Sequence, residues 1–295
     1  MTKRAAFRKA TRKNNFPLIA AVETKSLLNI QNALRHDAAD INEATSDGTT
    51  ALMKAISLKN TSIACFLIEK GADISLKNAA GNNALFLAIA CGDLKVIKEL
   101  IKNNASLEEK NKQGQTPLMN AIAAKANYEV IETLLVNSGA QINTACNAGK
   151  NPLITALQLK MPGVAHLLIK HGADVSQTQN NGYTALMAAA ADKENISTVQ
   201  LLIGNGAHID QKNNDGNTAL IEAVSKGNAC AVKLLLENKA KLNIKNNHGK
   251  TALYFAAHGR HKKIIDLLKE TITKEIANPA LKKKLTVKKP FKFKQ

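Results

Sequence analysis

Asn214-Asp215-Gly216-Asn217-Thr218-Ala219-Leu220 is the stretch that decides how this chain folds. Its first three residues are turn formers that tolerate a left-handed backbone. Thr218 can offer its hydroxyl to the unpaired amides of a helix beginning at Ala219. The phrase recurs: its glycine returns as Gly48, Gly81, Gly114, Gly149, Gly182, Gly216 and Gly249, in steps of 33, 33, 35, 33, 34 and 33 residues. The leucine four places on keeps the same steps, from Leu52 to Leu253. A period of this size over most of a chain marks a solenoid built from one supersecondary unit.

Between the glycines each unit has one layout. A short first helix carries small and apolar residues, as in Thr50-Ala51-Leu52-Met53-Lys54-Ala55-Ile56. A break such as Cys91-Gly92-Asp93 or Lys226-Gly227-Asn228 follows, and then a second helix with apolar residues at helical spacing, such as Val96, Ile97, Leu100 and Ile101. Gly71, Gly139, Gly172 and Gly206 fit a left-handed stop after that helix. Asn104 is an acceptable substitute there. Lys239 is not, and its position predicts local strain or a rearranged turn. The step of 35 places two extra residues within 123–139, and the step of 34 places one within 192–195, both expected in loops.

The ends depart from the pattern. Leu18 stays in phase with Leu52 but lacks the turn before it, so residues 15–44 read as a degenerate capping unit with a second helix near Ser26–Arg35. Ile264, Ile265, Leu268, Ile272 and Ile276 extend the last helix to about Ala277 as a second cap, and Pro279 ends it. The reading is therefore a basic arm at 1–14, a capping repeat at 15–44, units near 45–77, 78–110, 111–145, 146–178, 179–212, 213–245 and 246–277, and a basic tail at 278–295.

Bulk properties agree with thin layers of small residues: 45% hydrophobic, 3% aromatic, no Trp. No run approaches the roughly 18 apolar residues of a membrane span, and the N-terminus lacks a secretory hydrophobic segment. Cys65, Cys91, Cys146 and Cys230 have no paired spacing, which suggests packing residues in a reducing compartment such as the cytoplasm. The net charge of +18 is uneven. Six basic residues and no acid lie in 1–13, seven and no acid in 282–295, which leaves +5 for 14–281.

The recurrence of G-x-[TN]-[AP]-L with a later G-A-D-like closure resembles the ankyrin-repeat family. The motif stands nearest to that family's T-P-L-H-x-A in Thr116-Pro117-Leu118-Met119-Asn120-Ala121. The resemblance covers about residues 15–270. It implies an all-α ankyrin-repeat solenoid of seven full repeats plus N- and C-terminal capping helices. The family histidine is absent from every unit, where Met53, Phe86, Met119, Ile154, Met187, Ile221 and Tyr254 stand, so a polar link gives way to apolar packing.

No catalytic constellation, phosphate loop or metal-ligand spacing is present, so the sequence predicts no enzyme, no cofactor and no metal. What remains is surface. The resemblance implies turns that project as fingers and first helices that line a palm, with protein partners held there and a monomeric protein. By position, the finger candidates are Lys112, Gln113, Gln115, Lys150, Asn180, Asn181, Tyr183, Asn214, Asp215, Asn217, His248 and Lys250; the palm candidates are Leu58, Gln158, Leu159, Asp192, Lys226 and His258. Tyr183, with Leu58 and Leu159, is the expected anchor.

The tails are a second surface. Thirteen positive charges, with Phe291 and Phe293 among them, suit nucleic acid, an anionic lipid face or a nuclear-import signal. The Lys-, Asn- and Ile-rich composition resembles that of ankyrin proteins which intracellular bacteria deliver into host cells. In that setting Asn42, Asn143 and Asn243, each eight residues after a leucine, resemble targets of asparaginyl hydroxylation.

Overall fold

The computed structural model of the chain describes residues 16–36, 39–138 and 141–277. The N-terminal arm, the Gly139-Ala140 closure and the C-terminal tail with Phe291 and Phe293 lie outside them. Sixteen α-helices among the described residues follow one another in eight pairs. They are α1 (Pro17–Glu23) with α2 (Leu27–His36), α3 (Ala51–Ser57) with α4 (Thr61–Glu69), α5 (Ala84–Cys91) with α6 (Leu94–Lys102), and α7 (Pro117–Ala123) with α8 (Tyr128–Ser138). Then come α9 (Pro152–Gln158) with α10 (Pro162–Lys170), α11 (Ala185–Ala190) with α12 (Ile196–Gly204), α13 (Ala219–Ser225) with α14 (Ala229–Glu237), and α15 (Ala252–His258) with α16 (Lys262–Ala277).

One continuous core is the expectation from a repeat, yet the chain groups into two compact bodies. Of the described residues, the first holds those up to Ala156 with Lys170–Ala173, and the second holds Leu157–Ile169 and those from Asp174 onward. Within each body, first helices pack on first helices and second on second, as α3 does on α5 and α13 on α15.

The first helices start where the threonines stand. Thr116, Thr184 and Thr218 accept from the amides of Met119, Met187 and Ile221 at 3.3, 3.1 and 3.4 Å. Such a cap is worth about 1 kcal/mol. The recurring leucine is at most 2% exposed from Leu52 through Leu220, and each buried leucine contributes roughly 1.5–3 kcal/mol. The next position, where the family histidine is missing, is equally buried from Met53 to Ile221. The last pair differs, because nothing among the described residues stacks beyond it. Leu253 and Tyr254 are 38% and 37% exposed, and Tyr254 lies against His258 with ring centroids 4.4 Å apart.

Strain is more widespread than the sequence suggested. Lys239 is left-handed, with φ of 66°, as expected. So are Lys59, Lys125, Lys160 and Arg260, at the tight turns that join the two helices of a pair. Two pairs put Gly92 and Gly227 at that same position, which shows that the turn demands the conformation whatever the side chain. A non-glycine residue there costs about 1–2 kcal/mol.

The two extra residues of the third unit separate. Asn127, which caps α8 by accepting from Val130 N at 2.9 Å, lies thirteen residues after its turn glycine, whereas Asn60 and Asp93 lie twelve after theirs. One insertion therefore lengthens the loop. The other lies further on, in the part of the unit that holds α8, which has 11 residues where α6 has 9. In the fifth unit the single extra residue sits in the loop after α11. Asn228, 2% exposed, reaches back into that loop and donates Nδ2 to Ala190 O at 2.9 Å and Asp192 O at 3.0 Å. The bond to Ala190 O is buried, so losing it would be costly, while Asp192 O also accepts from Asn195 N at 3.3 Å.

Gly216 and Gly206 are both left-handed, yet they face different surroundings. A Cβ at Gly216 would stand 2.5 Å from Asn247 Oδ1 and 2.7 Å from Asn247 N, while one at Gly206 meets nothing within 4 Å. In urea denaturation, Gly206→Ala is expected to lose about 1 kcal/mol from conformation alone. Gly216→Ala is expected to lose at least about twice that, because the next turn must move.

Candidate functional site

The fingers are built by asparagines. Asn78, Asn111, Asn213 and Asn246, each three residues before a turn glycine, accept two backbone amides of their own turn on one carboxamide oxygen. For Asn213 these are Asp215 N at 3.0 Å and Asn217 N at 2.9 Å. Successive fingers are then tied together. Ala79 N donates to Asp47 O at 2.7 Å and Asn147 N to Gln113 O at 3.1 Å in the first body; Asn214 N donates to Asn181 O at 2.8 Å and Asn247 N to Asp215 O at 2.9 Å in the second. The Nδ2 groups of Asn147, Asn214 and Asn247 add bonds to Lys112 O, Asn180 O and Asn214 O.

This ladder sorts the expected finger residues. Lys112, Gln113, Lys150, Asn180, Asn181, Asp215 and His248 present exposed side chains. Gln115 is half-buried and its Oε1 accepts from Asn111. Asn214 is exposed, but its amide is engaged by the neighbouring finger. Asn217 lies between Glu222 and Asn246, at 3.1 and 3.0 Å. The Lys250 ammonium sits 4.8 Å from the Tyr254 ring centroid, and His258 covers that ring from its own helix. Leu58 and Leu159 are half-buried, and Lys226 is exposed.

In the second body the palm holds a cavity of about 360 Å³. It brings together the expected Gln158, Asn181, Tyr183 and Asp192 with Leu157, Lys160, Gln179, Ala188 and Ala191; Leu159 does not line it. Lys160 Nζ lies 4.0 Å from Asp192 Oδ2, and Asp192 also accepts from Glu194 N and the Asn195 amide. Burial, and then the Glu222 carboxylate, push the Tyr183 phenol up to about 12. Burial likewise raises Glu222, against the opposing Asn217 hydrogen bond and Lys226 charge.

Gln179 and Glu222 were missed as site residues. The signal for Gln179 was present, because glutamine stands where four other turns carry the clamping asparagine. Of the hydroxylation candidates, Asn42 Oδ1 accepts from Asp73 N at 2.7 Å, Asn143 closes the short 3-10 turn Gln141–Asn143, and Asn243 is exposed.

The geometry suits recognition by surface. Among the described residues no three His, Cys, Asp or Glu side chains gather as metal ligands, and no helix is long and apolar enough to cross a membrane. Burial pushes the Cys65 and Cys91 thiols up, away from the reactive thiolate.

Stacked helix pairs closed by hydrogen-bonded turns define a helical-repeat protein. The family model "Ankyrin repeats (3 copies)" matches residues 3–78, 75–146, 122–212 and 186–278, and the chain belongs to the ankyrin-repeat family. It is similar to the solved ankyrin repeat domain of Bcl-3, described as a unique member of the IkappaB protein family. The two share 25% identity with a TM-score of 0.65, over 76% of this chain and 100% of that one. A search of curated proteins found no match. The chain is thus a diverged, non-catalytic protein–protein interaction module.

The raised phenol has a sign that can be tested. An unfolded tyrosine ionises near 10.0, whereas buried Tyr183 holds its proton to about 12. Its contribution to stability is therefore fully present below pH 10 and lost as pH rises through 12. In an absorbance titration of the folded protein, one of the three tyrosines is expected to ionise near 12, and Tyr183→Phe removes that step.

Proposed function

We propose that the protein is a scaffold that holds a partner protein on the palm and fingers of its second body, with Tyr183 as the anchor. The observation that carries this reading is the palm cavity, where Gln158, Tyr183 and Asp192 converge at positions that differ from one repeat to the next. An aromatic at the centre of a partly desolvated recess, ringed by polar groups, is the usual anatomy of a binding hot spot. In the same reading the chain has seven full repeats between two caps, is a monomer, works in a reducing cytoplasm, and acts inside a host cell. Exposed finger residues Asn180, Asn181 and Asp215 form the polar rim.

The test is affinity capture with the full chain as bait. Tyr183→Ala combined with Lys226→Glu is expected to reduce the captured partner at least tenfold, about 1.4 kcal/mol. Lys98→Ala with Lys102→Ala, on α6, leaves capture unchanged. An identical set of proteins on wild type and palm variant would sink the assignment.

A second reading rests on the thirteen basic residues of 1–13 and 282–295, which carry no acid. These segments would bind nucleic acid or an anionic membrane by charge. Such binding is expected to fall about 10³-fold or more between 50 and 200 mM salt and to vanish in a chain trimmed to 14–281. Retention of binding by the trimmed chain counts against it.

A further inference from the structure

The fifth unit breaks the repeat at the positions that line the palm cavity. Asn78, Asn111, Asn213 and Asn246 spend their carboxamide oxygens closing their own turns. Gln179 occupies the equivalent place, but its side chain is one methylene longer, and the turn is closed without it. The Asn181 side chain accepts from Tyr183 N at 3.1 Å instead. The Gln179 carboxamide is thereby released from scaffold duty. It is only 8% exposed, it lines the cavity, and its Nε2 has no hydrogen-bond partner. A buried amide donor left unpaired is unfavourable by itself, so its retention at the wall of a cavity points to a ligand that supplies the missing acceptor.

The surroundings say what kind of acceptor. At the positions corresponding to Ala188 stand Lys54, Leu87, Asn120, Thr155, Glu222 and Phe255, all larger, so the alanine makes the floor. Tyr183 supplies a flat aromatic wall. The charges nearby are already matched: Lys160 lies beside Asp192, and Lys226 acts on Glu222. A charged ligand of either sign would set one of these pairs against itself. The unsatisfied group needs an acceptor, and a neutral one leaves both charge pairs undisturbed.

We infer that the palm cavity of the second body receives the carboxamide side chain of an Asn or Gln from the bound partner. The carboxamide oxygen accepts from Gln179 Nε2, and its plane lies against the Tyr183 ring. A cavity of about 360 Å³ holds such a side chain together with its flanking backbone. This rests on the palm being the binding surface and adds the chemistry of the residue it reads.

The experiment is ligand-detected saturation-transfer NMR on the full chain. Four probes are used: N-acetylglutamine amide, N-acetylglutamate amide, N-acetyllysine amide, and N-acetylalanine amide, which carries main chain only. The glutamine probe is expected to bind at least fivefold more tightly than the other three. Gln179→Asn restores the residue used by four other turns, so the fold is kept while the donor is withdrawn into the turn, and the preference should disappear. Ala188→Phe fills the cavity and should abolish binding of the glutamine probe. A preference for glutamate or lysine, equal binding of the alanine probe, or a glutamine preference that survives Gln179→Asn would each overturn the proposal. Affinity capture separates the two ideas. If Tyr183→Ala with Lys226→Glu still removes the partner while the glutamine preference is absent, only the carboxamide assignment falls.

Discussion

The close approach of one turn to the next is the constraint on which the rest of the structure depends. Asn247 N donates to Asp215 O at 2.9 Å, and Gly216 passes so near Asn247 that a Cβ would stand 2.5 Å from its Oδ1. A Cβ at Gly249 meets nothing within 4 Å, and no turn follows it among the described residues. Contact between fingers sets the spacing at which helix pairs stack. That spacing buries the leucines, and the buried leucines hold the palm positions at fixed intervals. A surface of this kind is pre-organised: its side chains project from a backbone whose hydrogen bonds are already made.

That economy explains why the variable positions matter. In four units the asparagine three places before the glycine is occupied by its own turn, and in three units an asparagine two places before the glycine is bonded to the neighbouring finger. Such residues look available on a surface drawing and are not. Asn214 is the clear example, exposed yet bound to Asn180 O. In the fifth unit, where Gln179 takes the place of the turn-closing asparagine, a side chain is released. Gln179, Tyr183 and Ala188 depart together in one unit and leave a recess in the palm.

Insertions show the same logic in reverse. Beside the extra residue in the fifth unit, Asn228 of the next unit donates to Ala190 O and Asp192 O, so a neighbouring repeat holds the lengthened loop. The third unit instead divides its two residues between a loop and the part of the unit that holds α8, and Tyr128 and Val136 on that helix stand 50% and 67% exposed. Left-handed Lys59, Lys125 and Lys160 at helix–helix turns are a further local strain that the repeat geometry imposes.

The repeat, its period, its helix starts and the apolar replacement of the family histidine were all legible in the sequence, because each follows from contacts within one unit or between identical units. A glycine that must be left-handed and a threonine that must cap look the same in every copy. Tyr183 could be singled out as a candidate on residue type and position alone, and the structure places it on the cavity wall. The release of Gln179, the engagement of Asn214, the grouping into two bodies and the exposure of Tyr254 at the end of the stack could not be read that way. They depend on which atoms of neighbouring units come within about 3 Å of one another, or fail to. One methylene separates a side chain that closes its own turn from one that lines a cavity, and only the tertiary structure brings to that place a tyrosine wall and an alanine floor.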